Sequence, residues 1–173
     1  DCLLSRGLGD VYKRQIRQRL VPFEAHVTRV AAHARTDEHG RIHGPEDLPK
    51  LLPHTEVVIA VTPLTKQTEK LIDAEFLSQL PDNALVVNVG RGKVVDTEAL
   101  VAELRAGRLS AALDVVDPEP LPHEHPLWGT PNTLITPHVG GDTSAFEPRI
   151  EQMLTEQVRR IIAGEPLINV VEG

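Results

Sequence analysis

Cysteine is nearly absent from this 173-residue chain: Cys2 stands alone, so neither a disulfide framework nor a cysteine-rich zinc site can form. Aromatic residues are only 3%, which leaves a core of Val, Leu, Ile and Ala, the composition of aliphatic parallel strands covered by helices. No apolar run approaches the roughly 18 residues that a membrane-spanning helix needs. Positive charge is short as well, with 18 Lys and Arg against 25 Asp and Glu and a formal net charge of -7. Nowhere do the basic residues gather on one face, as a nucleic-acid groove requires. What remains is 40% hydrophobic residues over ordinary domain length, enough for a core. The expectation is a cytoplasmic protein with no nucleic-acid or membrane partner.

Residues 1–15 fit the remainder badly. They hold the only tyrosine, Tyr12, and show no helical or strand period before Ile16. Asp10-Val11-Tyr12-Lys13-Arg14-Gln15 translates GAT GTG TAT AAG AGA CAG, a string similar to the transposon end used to tag DNA for sequencing. An adapter-derived artefact is expected over residues 1–15, the other reading being an unpatterned amino terminus. Leu3-Leu4 is too short for the apolar core of a signal peptide. Gly7-Leu8-Gly9 imitates the opening of a G-x-G-x-x-G dinucleotide fingerprint, but Tyr12 stands at the third glycine position and no apolar strand precedes Gly7.

From Ile16 onward the pattern is regular. Helical character at Ile16 to Leu20 leads to a strand-like run, His26 to Val30, and Gly40, Gly44 and Pro45 then punctuate the chain before a helical piece near Glu46 to Leu52. Glu56 to Val61, Ala84 to Val89 and Leu109 to Val116 are short, aliphatic and not alternating, so each reads as a strand buried on both faces. Asp73 can cap a helix over Ala74 to Leu80, and Asp96 or Thr97 one that stops at Gly107. A fourth run, Thr133 to Thr136, precedes a long helix. Its apolar residues Phe146, Ile150, Met153, Leu154, Val158, Ile161 and Ile162 predict one buried face, ended by Gly164 and Pro166. Strand alternating with helix predicts an α/β fold, a parallel sheet with flanking helices. Residues 16–164 are read as a partial dinucleotide-binding domain and residues 165–173 as a return segment.

In such sheets ligands bind beyond the carboxyl ends of the strands. Four ends then present Thr62-Pro63, Gly90-Arg91-Gly92, Asp114 with Asp117-Pro118-Glu119-Pro120, and Thr136-Pro137-His138-Val139-Gly140-Gly141 to one crevice. Arg91 can lay a planar fork against a carboxylate. His138 can exchange a proton near neutral pH, and Glu119 can fix its tautomer and favour its charged form. Arg, Glu and His together suit hydride transfer to a 2-oxo acid.

Three segments carry a family resemblance: Asn88 to Asp96, Ala112 to Leu121, and Thr136 to Gly141. In order and spacing they resemble the D-isomer-specific 2-hydroxyacid dehydrogenases, over Ile16 to the carboxyl end. The resemblance implies Rossmann-like topology, with Arg91 as substrate-carboxylate clamp, Glu119 as partner of the histidine, and His138 as acid/base. It also implies that Thr62, Pro63, Val89, Gly90 and Asp114 line the nicotinamide and ribose, with Arg91, His138 and Gly140 also on the cofactor side. Members of that family carry a substrate-binding domain and a first strand with its glycine loop ahead of the helix that here includes Ile16 to Leu20. By that alignment the first loop glycine falls at Leu8, so Gly7 and Gly9 are out of register, and the chain is expected to be an inactive fragment of an enzyme that is a homodimer when full length. The acidic residue that binds the ribose 2′-hydroxyl in NAD-preferring members aligns near Ala31, followed by Ala32-His33-Ala34-Arg35. Arg35 could face a 2′-phosphate, which leans the choice within NAD(P)H toward NADP(H); the alternative is a solvated loop residue.

Other assignments are weaker. His123-Glu124-His125 lies among prolines without a third ligand, so no metal is expected. Gly92-Lys93 lacks the glycine and hydroxyl positions of a P-loop, and Ser144 lacks the G-x-S-x-G elbow of a hydrolase. Two functions remain open: an NAD(P)-dependent oxidoreductase acting on a small 2-hydroxy or 2-oxo acid, and a nucleotide-sensing regulator related to the same family. The substrate-selecting residues are expected to lie outside this chain.

Overall fold

A computed structural model describes residues 10–141, 143–144, 146–168 and 170. The chain divides into two units, Asp1–Pro137 and His138–Gly173. The first opens with helix α1 (Asp10–Leu20), which begins six residues before the helical pattern legible at Ile16. Gly7 and Gly9 lie outside the described residues.

A small sheet follows, formed by β1 (Arg29–Val30), β2 (Arg35–Asp37) and β3 (Gly40–His43). Only the last two residues of the run His26 to Val30 are strand, and they pair parallel with β3, which in turn pairs antiparallel with β2. Arg29 ties the sheet together: its guanidinium donates to both carboxylate oxygens of Asp37, at 2.6 and 2.8 Å, and to the Gly40 carbonyl at 3.0 Å. The helix expected near Glu46 to Leu52 is reduced to α2 (Leu48–Leu51) between two 3-10 turns. Pro45, Pro49 and Pro53 recur every fourth residue and remove the N–H groups a longer helix would use.

The main sheet is wholly parallel, in the order β4 (Val57–Ala60), β5 (Leu85–Asn88), β6 (Ser110–Leu113), β7 (Thr133–Ile135), at the places the apolar runs predicted. The expected burial on both faces is not found: alternate residues of β5 and β6 are fully buried, and in the edge strand β4 only Ala60 is, with Val57 exposed. Helices α3 (Ala74–Ser78) and α4 (Thr97–Arg105) form the crossovers. Asp73 accepts from the Phe76 amide at 2.9 Å, and Asp96 from the Glu98 and Ala99 amides at 3.1 and 3.2 Å, so both aspartates satisfy helix-start donors. Asp96 also pairs with Lys70 at 2.9 Å, and that bond, with the amides, holds its carboxyl below the ordinary carboxylate value. At the far end of α4, Gly107 takes φ +69, a left-handed conformation that only glycine adopts without cost. Val86, Leu77, Leu100 and Leu104 are buried between sheet and helices. Arg108 links α3 to α4 by donating to the Leu77 and Leu80 carbonyls and to Glu103.

The second unit contains α5 (Phe146–Ala163), closed by Gly164 at φ +66. Here an expectation fails. The apolar stripe of α5 is exposed along its length, from Phe146 at 53% to Ile162 at 82%. Among the described residues this unit holds no second helix or strand, and one helix cannot bury its own stripe. Its polar side is internally paired, with Glu156 between Arg159 and Arg160 and the Gln157 side chain bonded to the Ile168 backbone.

Candidate cofactor and substrate site

The parallel register brings the strand ends level. Ala60 lies opposite Asn88, Asn88 opposite Leu113, and Leu113 opposite Ile135. Thr62, Val89-Gly90, Asp114 and Thr136 therefore follow the strands at one edge of the sheet. The ladder runs on into them, through Val89 N–H to the Ala60 carbonyl at 3.1 Å, Asp114 N–H to Asn88 at 2.9 Å and Thr136 N–H to Leu113 at 2.9 Å.

Arg91 sits on a turn wedged between its neighbours. A Cβ on Gly90 would lie 2.9 Å from the Thr62 carbonyl oxygen, and one on Gly92 only 1.9 Å from that of Val116. Each glycine thus admits the protein's own backbone. Asn88, buried at the end of β5, donates from Nδ2 to the Arg91 carbonyl at 3.0 Å and accepts at Oδ1 from the Gly90 amide at 3.1 Å. Arg91 itself is exposed, in extended backbone, and its guanidinium donates to the Gly90 carbonyl at 2.7 Å.

The other strand ends are also organised. Asp114 accepts from the Thr136 hydroxyl at 2.5 Å, joining the ends of β6 and β7. Glu119 is exposed on the Asp117–Pro120 loop, which contains two cis X-Pro bonds and is held by the Thr97 hydroxyl donating to the Asp117 carbonyl at 2.9 Å. The Thr68 hydroxyl donates to the Pro63 carbonyl at 2.6 Å and accepts from the Thr65 amide at 2.8 Å, shaping the loop after β4. Asn88, Thr68 and Thr97 were not among the site residues read from sequence; only Asn88 left a signal, as a polar residue closing an aliphatic run.

The structure thus collects Thr62, Pro63, Val89, Gly90, Arg91 and Asp114 at one sheet edge, with Glu119 on the loop that follows β6. Arg35 is on β2 of the small sheet, exposed, with Nη1 3.4 Å from the His33 carbonyl. His138 and Gly140 belong to the second unit. His138 is exposed at φ +57, a left-handed conformation that costs a non-glycine residue about 1–2 kcal/mol. His125, from the His-Glu-His stretch, accepts from the Leu127 amide at 3.2 Å and caps a short turn. Among the described residues no helix is long and apolar enough to cross a membrane.

A nicotinamide suits this edge. Its flat ring needs an apolar surface and its carboxamide a polar one; Val89 is 45% exposed, and the next strand end carries the Asp114–Thr136 pair.

A parallel sheet with helical crossovers and polar turns at its carboxyl edge makes this an α/β protein of the doubly wound kind, whose ligands bind beyond that edge. More narrowly, the model of the D-isomer specific 2-hydroxyacid dehydrogenase NAD binding domain matches residues 6–140, and the chain belongs to that family. The match begins within residues 1–15. Over 130 residues the chain is 39% identical to glyoxylate/hydroxypyruvate reductase A of Salmonella newport, covering 75% of this chain and 41% of that protein. A D-isomer specific 2-hydroxyacid dehydrogenase of Xanthobacter autotrophicus Py2, solved with NADPH and MES, is 42% identical with a TM-score of 0.71, over 83% of this chain and 59% of that one. A Thermus thermophilus protein is 36% identical with a TM-score of 0.81, over 92% of this chain and 50% of that one. The chain therefore spans about two-fifths of the curated relative and half or more of the solved ones.

Proposed function

We propose that the chain is the nicotinamide-binding portion of a longer oxidoreductase that interconverts small 2-oxo acids and D-2-hydroxy acids. The observation that carries this reading is the Arg91 turn, a planar cation at the carboxyl edge of a parallel sheet beside the exposed Val89. The nicotinamide, when bound, supplies hydride exchange with the substrate. Arg91 leaves the Gly90 carbonyl and grips the substrate carboxylate through two N–H donors. His138 gives a proton to the substrate oxygen in reduction and takes it back in oxidation. In the same reading Glu119 is the partner of the histidine. Thr62, Pro63, Val89, Gly90 and Asp114 bear on the nicotinamide and ribose, with Gly140 on the cofactor side.

NADP(H) is the preferred cofactor in this reading. Ala31 offers no carboxylate to repel a 2′-phosphate, Arg35 is exposed nearby in sequence, and the similar Xanthobacter protein was solved with NADPH. Glyoxylate and hydroxypyruvate are the first substrates to try, from the name of the Salmonella relative. A cytoplasmic homodimer completes the reading, to be checked by fractionation and sedimentation. The test of function is NADPH oxidation by the full-length protein with glyoxylate, hydroxypyruvate and pyruvate. Saturable turnover with one of them supports it; no turnover with any rejects it.

A further inference from the structure

Among the described residues Asn88 is the one fully buried polar side chain of large volume in the core, and its side-chain amide bonds to the turn that bears Arg91. Burying an amide gains nothing unless both of its ends are satisfied. Here they are satisfied by the Gly90 N–H and the Arg91 carbonyl, which bracket the Cα of Arg91. The two bonds close Gly90 and Arg91 into a ring with the side chain, so the soft dihedrals of both residues are fixed together. An apolar residue at this position would complete the strand equally well and leave the turn unpinned.

We propose that Asn88 is a positioning residue: by pinning the turn it sets the direction of the Arg91 guanidinium and hence the affinity for the substrate carboxylate, without touching substrate. This rests on the reading of Arg91 as the carboxylate clamp. A pre-set turn lets the guanidinium exchange its bond to Gly90 for a carboxylate without ordering the backbone at the same time. The glycines on either side cannot do this alone, because they permit close approach to Thr62 and Val116 but specify no direction.

The probe is oxalate, a planar carboxylate that needs no turnover to be measured. In the NADPH complex of the full-length protein, its Kd is read from nicotinamide fluorescence, alongside the NADPH Kd and the thermal midpoint. The variants are Asn88→Ala, Asn88→Asp, Arg91→Ala and the two doubles. Each Asn88 substitution should weaken oxalate about tenfold and have no further effect once Arg91 is alanine. Equal weakening in the Arg91→Ala background, or no weakening at all, overturns the positioning role while leaving the clamp standing. Arg91→Ala that binds oxalate as wild type does rejects the clamp itself. Should Asn88→Ala fail to fold, Asn88→Asp, which keeps an acceptor for the Gly90 amide, carries the comparison.

Discussion

Gly92 and Val116 are in backbone contact: a Cβ on Gly92 would lie 1.9 Å from the Val116 carbonyl oxygen. The Arg91 turn and the loop leading to Glu119 therefore rest directly on each other. Gly92→Ala must push the two apart, at about 1–3 kcal/mol by analogy with overpacking elsewhere. Urea denaturation measures the loss, and a change below about 0.5 kcal/mol, typical of an unconstrained surface site, contradicts the contact.

Asp96 serves α4 both as cap and as partner of Lys70. Asp96→Ala should cost about 1 kcal/mol at neutral pH, whereas Asp96→Asn should cost little, since asparagine caps as well and the exposed lysine contributes weakly. The carboxyl titrates below its ordinary value in the folded chain, so its contribution is present above the unfolded pKa and is lost as pH falls through the lowered folded one. Stability profiles in acid should therefore be shallower for Asp96→Asn than for wild type. Superimposable profiles would remove Asp96 from the account.

His138→Ala in the full-length protein should lower kcat by at least about 100-fold, the scale of a lost general acid/base, with the NADPH Kd little changed. Near-normal kcat would refute the assignment and leave the left-handed backbone at His138 without a functional reason.

Arg35→Ala should weaken NADPH by about one power of ten, the worth of one charge-assisted hydrogen bond, and leave NADH nearly untouched. Titration of both reduced cofactors decides it. A strong wild-type preference for NADH would show that the residues after Val30 do not meet a 2′-phosphate.

The parallel sheet was legible because short aliphatic runs such as Leu85 to Asn88 carry a strand pattern, but burial on both faces did not follow: at the two edges of the sheet Val57 and Leu134 are exposed. Helix starts at Asp73 and Asp96 were legible for the same local reason, a short acceptor ahead of free amides. The hairpin of β2 and β3 was not, since Arg35-Thr36-Asp37 is exposed and owes its place to the Arg29–Asp37 pair, a contact without periodicity. The α5 stripe announced a helix correctly but not its surroundings: periodicity shows which face is apolar and says nothing of what covers it. The candidate site residues were read from residue type at the strand ends. The bonds that hold the neighbouring turns, from Asn88 and Thr97, belong to tertiary geometry and carry no sequence pattern.

The carboxylate clamp is tested most directly by Arg91→Lys in the full-length protein, comparing kcat/KM for glyoxylate with the thermal midpoint. An ammonium cannot reproduce the two-point grip of a guanidinium, so kcat/KM should fall by about 10-fold or more while the midpoint and the NADPH Kd hold. Unchanged kcat/KM with a lowered midpoint would make Arg91 a structural cation and contradict the proposed site.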